Sequence, residues 1–234
     1  MTKKPTVLLL PGLMCDAAVW RAQVPALAAA GYAVAIPDFR GQGSLNDMAR
    51  VALAAAEGPI AVAGHSMGGR VALQAWALAP QRIERLALMD TGAHPPGQQE
   101  KDGRIALARL GLAEGMTAVA AAWLPPMLAP HRRDDEPLVR AMTEMVERCT
   151  PEQFDLQQRA MLVRPDLRPQ LPGITVPTDY ATGRFDDHSP PEQHAVMAEA
   201  TPGARLTIFE TSGHMSPAET PDEVSAFLLA WLER

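Results

Sequence analysis

The sequence predicts an α/β protein: a mostly parallel sheet flanked by helices and interrupted by a helical cap insert. Three observations carry this expectation. From the start of the chain to residue 92, short apolar runs alternate with segments of helical periodicity, the rhythm that right-handed crossovers and a parallel sheet require. Between residues 93 and 172 the apolar runs cease and only helical segments remain. The alternation then resumes to residue 234, so residues 1–92 and 173–234 are expected to form the core and 93–172 the cap.

A length of 234 residues is enough for one such domain with an insert, and a hydrophobic share of 47% supplies its core. Residues 7–10 read as a buried strand closed by Pro11-Gly12. Residues 16–30 are alanine-rich, with Trp20, Val24 and Leu27 at helical spacing and Gly31 as the stop. A second strand is expected at 33–36, ended by Pro37-Asp38 and a turn at 41–43. A helix follows over 45–56, with Gly58-Pro59 as its stop. Residues 60–63 read as a strand, with a helix running on to Ala79, and 86–89 as another strand. Within the insert, helices are expected at 101–110, 116–122, 136–148 and 151–162. Pro125-Pro126, Pro130 and the charged run 132–136 divide them. A strand at 174–182, a helix at 191–200, a strand at 205–209 and a helix at 222–232 complete the pattern.

Composition narrows the function classes. A net charge of −6 and a pI near 5.5 argue against a nucleic-acid partner, which demands a basic face. No apolar run approaches the roughly 18 residues of a membrane span, so no membrane partner is expected. The charged start, Met1 to Lys4, precedes an apolar run too short for a signal sequence and followed by no small-residue cleavage site. Cys15 and Cys149 lie far apart in unrelated contexts and offer neither a disulfide framework nor metal-ligand spacing. A reducing cytoplasm is the expected compartment.

The chemistry centres on Gly64-His65-Ser66-Met67-Gly68, between an apolar strand and a helix. This pattern fits a sharp strand-to-helix turn that lifts the Ser66 hydroxyl clear of the sheet. Side chains two residues before and after the serine would strike neighbouring backbone, hence the glycines. Ser66 also falls at a helix N-terminus, where free N–H groups favour developing negative charge. His214, in the glycine-flanked loop past the last strand, is placed to reach back as general base. Asp186, in the loop 183–190, gives the chain order Ser, Asp, His expected of this architecture. Asp90 and Asp187 remain as alternative acids, and each of the three can also be read as a turn carboxylate. The expected oxyanion donors are the backbone N–H groups of Met67, after the nucleophile, and Leu13, in the loop after the first strand. Cys15 reads as a small packed thiol, and no elbow surrounds it to make it a nucleophile. His65 is expected to pack beside the nucleophile, whereas His94, His131 and His194 read as loop or surface positions.

Together, the Pro11-Gly12-Leu13 loop with Trp20 after it, the stretch 37–43, the elbow, the loop 183–190 and Gly213-His214-Met215 resemble the α/β-hydrolase superfamily. Within it the chain looks like a small, capped, esterase- or lipase-like serine hydrolase. The resemblance implies hydrolysis of small to medium acyl or aryl esters, with thioesters and lactones in range, through an acyl-enzyme on Ser66. It implies no metal and no organic cofactor. The partner it implies is a small-molecule ester substrate, and a homodimer stays open. The expected pocket is Gly12, His65, Trp123, Leu124 and Met127, with Leu128 completing an apolar roof suited to a compact, largely uncharged ester. Carbon–carbon bond hydrolysis, enol-lactone opening and acyl transfer use the same groups and are the alternatives on this fold. A ligand-sensing receptor is the alternative from another class. Three features depart from the family: Pro11 where a histidine often precedes the oxyanion glycine, a first strand that corresponds to the family's third, and Asp179-Tyr180 in a strand expected to be apolar.

Overall fold

The computed structural model describes residues 4–234, and the charged start at 1–3 lies outside the described residues. Its strands are β1 (Thr6–Leu10), β2 (Val34–Ala35), β3 (Ile60–His65), β4 (Ile83–Met89), β5 (Thr178–Gly183) and β6 (Arg205–Phe209). They form one sheet in the order β2-β1-β3-β4-β5-β6, and every neighbouring pair is parallel. The central strand β3 is buried along its whole length, as a parallel strand covered on both faces must be. Register aligns Leu10 with Gly64 and His65 with Met89, so the strand ends leave the sheet at one edge. Loops that carry chemistry in open α/β sheets gather at that carboxyl edge.

The helices are α1 (Gln23–Ala29), α2 (Leu45–Ala54), α3 (Met67–Leu78), α4 (Gln98–Glu114), α5 (Met116–Met127), α6 (Glu136–Glu147), α7 (Pro151–Leu162), α8 (Pro191–Ala200), α9 (Ser216–Glu219) and α10 (Pro221–Leu232). α2 packs on α3, α1 on α10, and α8 on β5 and β6. Between β4 and β5 the chain forms helices and 3₁₀ turns joined by loops and no strand, with α4 packed on α7 and α5 on α6. Among the described residues no helix is long and apolar enough to cross a membrane.

Several elements differ from expectation for identifiable reasons. The helix expected over 16–30 is broken into a 3₁₀ turn, Ala17–Trp20, and α1. Pro25 has no N–H and its ring crowds the carbonyl four residues back, which confines it to a helix's first turn. Pro125 and Pro126, expected to separate helices, instead sit inside the last turn of α5. The carbonyls they leave without helical donors belong to Ala121 and Ala122, which are exposed, so solvent can satisfy them. The strand expected from 174 begins only at Thr178, because Pro177 cannot donate to the ladder and 168–173 form a 3₁₀ turn. The short α9, with Pro217 in its first turn, was not anticipated. Asp179 lies one residue inside β5 and pairs with Arg234, while the buried Tyr180 hydroxyl shares a 2.8 Å hydrogen bond with Thr201 Oγ1. The polar pair is therefore accommodated in the sheet by partners distant in sequence.

Candidate active site

Ser66 occupies the turn between β3 and α3 with φ 54° and ψ −117°, a conformation non-glycine residues rarely adopt. The turn is as tight as the sequence demands. A Cβ on Gly64 would stand 2.3 Å from the Gly68 carbonyl oxygen, and one on Gly68 would stand 2.1 Å from the Leu10 carbonyl oxygen. Three hydrogen bonds hold the turn: Ser66 N–H donates to the Met89 carbonyl (2.9 Å), and the Ser66 carbonyl accepts from Gly69 N–H (3.0 Å) and Thr91 Oγ1 (2.6 Å).

The loops after β5 and β6 converge on this hydroxyl. Ser66 Oγ lies 2.8 Å from His214 Nε2, and His214 Nδ1 lies 2.9 Å from Asp186 Oδ2. An ionised carboxylate only accepts, so Nδ1 carries the proton and Nε2 is free to accept from Ser66. Asp186 Oδ1 accepts the N–H groups of His188 (2.9 Å) and Ser189 (2.8 Å). Burial alone would raise the Asp186 pKa, but the His214 charge and hydrogen bond, with the Ser189 N–H, hold it at about 2. Burial likewise works against the His214 cation, and Asp186 outweighs it, so the imidazole pKa is raised above 6.5. Asp90 and Asp187 do not reach His214. Asp90 accepts from Gly183 N–H (3.0 Å) and pairs with Ser216 Oγ, and burial raises its pKa well above the usual carboxylate range. Asp187 is exposed.

Leu13 and Met67 both line the cavity over Ser66, and neither backbone N–H has a hydrogen-bond partner among the described residues. Beside Leu13, Met14 adopts φ 60° and its N–H donates to Gln157 Oε1 of α7 (2.9 Å), which pins the loop from the insert side. The cavity has a volume of about 350 Å³. Trp123 and Met127 line it as expected.

Other pocket expectations need correction. Leu124 and Leu128 are buried in the hydrophobic core and do not line the cavity. Gly12 and His65 lie beneath the site rather than in its lining. A Cβ on Gly12 would meet His65 Nδ1 at 3.1 Å and Ser66 Cβ at 3.2 Å, so the missing side chain lets the loop close on the elbow. His65 Nε2 donates to the His214 carbonyl (2.7 Å), and burial, aided by His214, depresses its pKa to about 3. His194 is fully buried in α8, where Nε2 accepts the Thr91 N–H (3.0 Å), so it is neither a loop nor a surface position, whereas His94 lies half-buried in the loop after β4 and lines the cavity. The lining also carries Arg70, Glu100, Arg104 and Gln158, so the expected uncharged roof is incomplete. Cys15 is buried away from this cavity.

Sequence reasoning missed Glu219. Its Oε1 accepts the N–H groups of Gly213 (3.0 Å) and Met215 (3.1 Å), which bracket His214, and its Oε2 accepts Ala129 N–H (2.8 Å). Burial raises its pKa despite these three donors. Among the described residues no cluster of His, Cys, Asp and Glu is arranged to hold a metal ion.

A strand-end serine, histidine and carboxylate over a parallel sheet define a hydrolase-type site. The alpha/beta hydrolase family pattern matches residues 7–227, and the chain belongs to that family. It is 30% identical to the RutD protein of Azorhizobium caulinodans, whose name carries carbamate hydrolase as a provisional activity, over 96% of this chain and 90% of that protein. It is 29% identical to the pimeloyl-[acyl-carrier protein] methyl ester esterase of Aeromonas hydrophila, over 90% of this chain and 88% of that one. Among solved structures, a thermophilic esterase from Thermogutta terrifontis, with malate bound, superposes with a TM-score of 0.88 at 28% identity, covering 98% of this chain and 91% of that one. The enol-lactonase from Burkholderia xenovorans also gives 0.88, at 26% identity, over 99% and 92%. The protein is a hydrolase.

Proposed function

We propose that the protein hydrolyses carboxylic esters through a Ser66–His214–Asp186 triad. The observation that carries this reading is the continuous hydrogen-bonded chain from Ser66 through His214 to Asp186, beside two unpartnered N–H donors in one cavity. Ser66 Oγ attacks the ester carbonyl carbon as His214 Nε2 takes its proton. The oxyanion that forms is held by the N–H groups of Leu13 and Met67. Collapse expels the alcohol, which receives the proton from His214, and leaves an acyl group on Ser66. Water then gives a proton to His214 and its oxygen to the acyl carbon, releasing the acid and restoring the serine. Asp186 keeps the Nδ1 proton in place and stabilises the imidazolium of each step.

A cavity of about 350 Å³ fits a small to medium ester. Cys15 and Cys149, both buried and unpaired, fit a reducing cytoplasmic setting. The likeness to an enol-lactonase supports a second reading, opening of a cyclic ester, in which the leaving alcohol stays tethered. Turnover of p-nitrophenyl acetate and of a lactone, by wild type and by Ser66→Ala, tests both. Loss of both activities in a folded Ser66→Ala supports the triad, and retained activity refutes it. Faster lactone than open-chain ester turnover moves the assignment to the second reading.

A further inference from the structure

The cavity over Ser66 holds more positive charge than the chain neutralises. Arg70 stands one turn into α3 and lines the cavity with only 6% of its surface exposed. Among the described residues its one hydrogen bond runs from Nη1 to the His94 carbonyl (2.8 Å), and no carboxylate lies within ion-pairing distance. A guanidinium has five N–H donors and stays charged, so a buried one with a single neutral acceptor is poorly compensated.

The neighbours do not make up the deficit. Glu100 is the nearby anion, and both its oxygens are taken: Arg164 reaches Oε1 (2.7 Å) and Oε2 (2.6 Å), and Arg104 Nε reaches Oε1 (2.8 Å). Arg104 also lines the cavity, with Nη1 on Gln158 Oε1 (2.9 Å) and Nη2 without a partner among the described residues. Arg104 and Arg164 thus share one carboxylate and Arg70 has none, three positive charges to one negative in a chain whose net charge is −6. Asp90 also lines the cavity, but its oxygens are taken by Gly183 N–H and Ser216 Oγ, and it pairs with none of the three arginines. Burial, with the charges of Arg164 and Arg104, lowers the Arg70 pKa well below its ordinary value, the signature of a cation that lacks a counter-charge. The fold makes room for it here: a Cβ on Gly92 would come within 2.8 Å of Arg70 Nη2.

We infer that the substrate carries a carboxylate in addition to its ester, and that Arg70, assisted by Arg104, binds it. This rests on the ester-hydrolase reading above and names the substrate class for that site. The planar fork of arginine matches a carboxylate, and two charged partners strengthen each hydrogen bond between them. Ser66 directly precedes α3 and Arg70 is about one helical turn, roughly 5 Å, along it, so carbonyl and carboxylate are separated by a short spacer. Half-esters of short dicarboxylic acids place the carboxylate on the acyl side, and acyl esters of short hydroxy acids place it on the alcohol side. Both present the same two groups.

The test compares kcat/KM for monomethyl glutarate and acetoxybutyrate, each against its uncharged isostere, in wild type, Arg70→Met, Arg70→Lys and Arg104→Gln. Wild type should prefer at least one anionic member, and the preferred one identifies the side that bears the carboxylate. Arg70→Met should lower the anionic-to-neutral ratio by about 10- to 100-fold, chiefly through KM, with partial recovery in Arg70→Lys. A merely structural role for Arg70 would change both members alike. A wild-type preference for the neutral esters, or an unchanged ratio in Arg70→Met, overturns the inference. If Arg70→Met does not fold, the wild-type preference and the smaller ratio loss in Arg104→Gln decide. Calorimetric binding of glutarate separates the two layers. Arg70-dependent binding without any ester turnover keeps the anion site and refutes the ester reading, whereas ester turnover without glutarate binding refutes the anion site alone.

Discussion

Glu219→Gln probes how His214, the proposed general base, is held. The carboxylate is 1% exposed and gathers the N–H groups of Gly213, Met215 and Ala129 at 3.0, 3.1 and 2.8 Å. The first two bracket His214, whose own N–H donates to the Met127 carbonyl at the end of α5 (2.8 Å). One side chain therefore ties the His214 loop to the segment that leaves α5. Glutamine keeps the shape but replaces one acceptor with an NH₂. Turned one way the NH₂ faces Ala129 N–H, and turned the other it faces Gly213 and Met215. At least one hydrogen bond is lost and the rest lose their charged acceptor, a destabilisation of about 2–4 kcal/mol. For a chain of this length that lowers Tm by about 5–15 °C. Displacement of His214 from Ser66 should also lower kcat/KM by about 10- to 100-fold. Circular-dichroism melting and ester turnover read the two effects. A Tm within about 2 °C of wild type together with unchanged kcat/KM would refute the role assigned to Glu219.

Two further outcomes follow from the same geometry. In Gly68→Ala the new Cβ must move from 2.1 Å off the Leu10 carbonyl oxygen and 2.8 Å off that of Pro11, which drives α3 and the Leu13 loop apart. Oxyanion binding weakens, so kcat should fall by about 100-fold or more, and an unchanged kcat contradicts the steric account. In the pH profile the acting form of His214 is neutral, so kcat/KM rises with pH through its pKa. Burial pulls that pKa down and Asp186 pulls it further up, which places the midpoint above 6.5. Asp186→Asn removes the largest pull that opposes burial, so the midpoint moves down from the wild-type value and kcat falls by about 10³- to 10⁴-fold. A wild-type midpoint at or below 6.5 contradicts the assigned electrostatics.

What could be read from the sequence depended on how local each constraint is. Gly64 and Gly68 are required by contacts the turn makes with adjacent backbone, so the elbow and its serine were legible directly. Strand–helix alternation placed the loops after β5 and β6 at one edge, and chain order then selected Asp186 and His214. Residues whose partners lie far away in sequence were not legible. Glu219 joins Ala129 to Gly213, Gln157 pins Met14, His194 supports Thr91, and Arg234 pairs with Asp179. None of these pairings leaves a periodic or motif signal. Arg70 stood in plain view beside the elbow, but its neighbours Glu100, Arg104 and Arg164 come from the helical insert, so its missing counter-charge emerges only in three dimensions. The pocket roof failed for a similar reason. Trp123 and Leu124 are adjacent on α5, yet only Trp123 faces the cavity.

The central claim is that Ser66 is acylated during turnover. Rapid quench of the protein with p-nitrophenyl acetate at low pH, followed by peptide mass spectrometry, tests it directly. One acetyl group is expected on Ser66, with accumulation of that species in Asp186→Asn and none in Ser66→Ala. Ester turnover with no acyl group on Ser66, or an equal yield of acylated protein from Ser66→Ala, would contradict it.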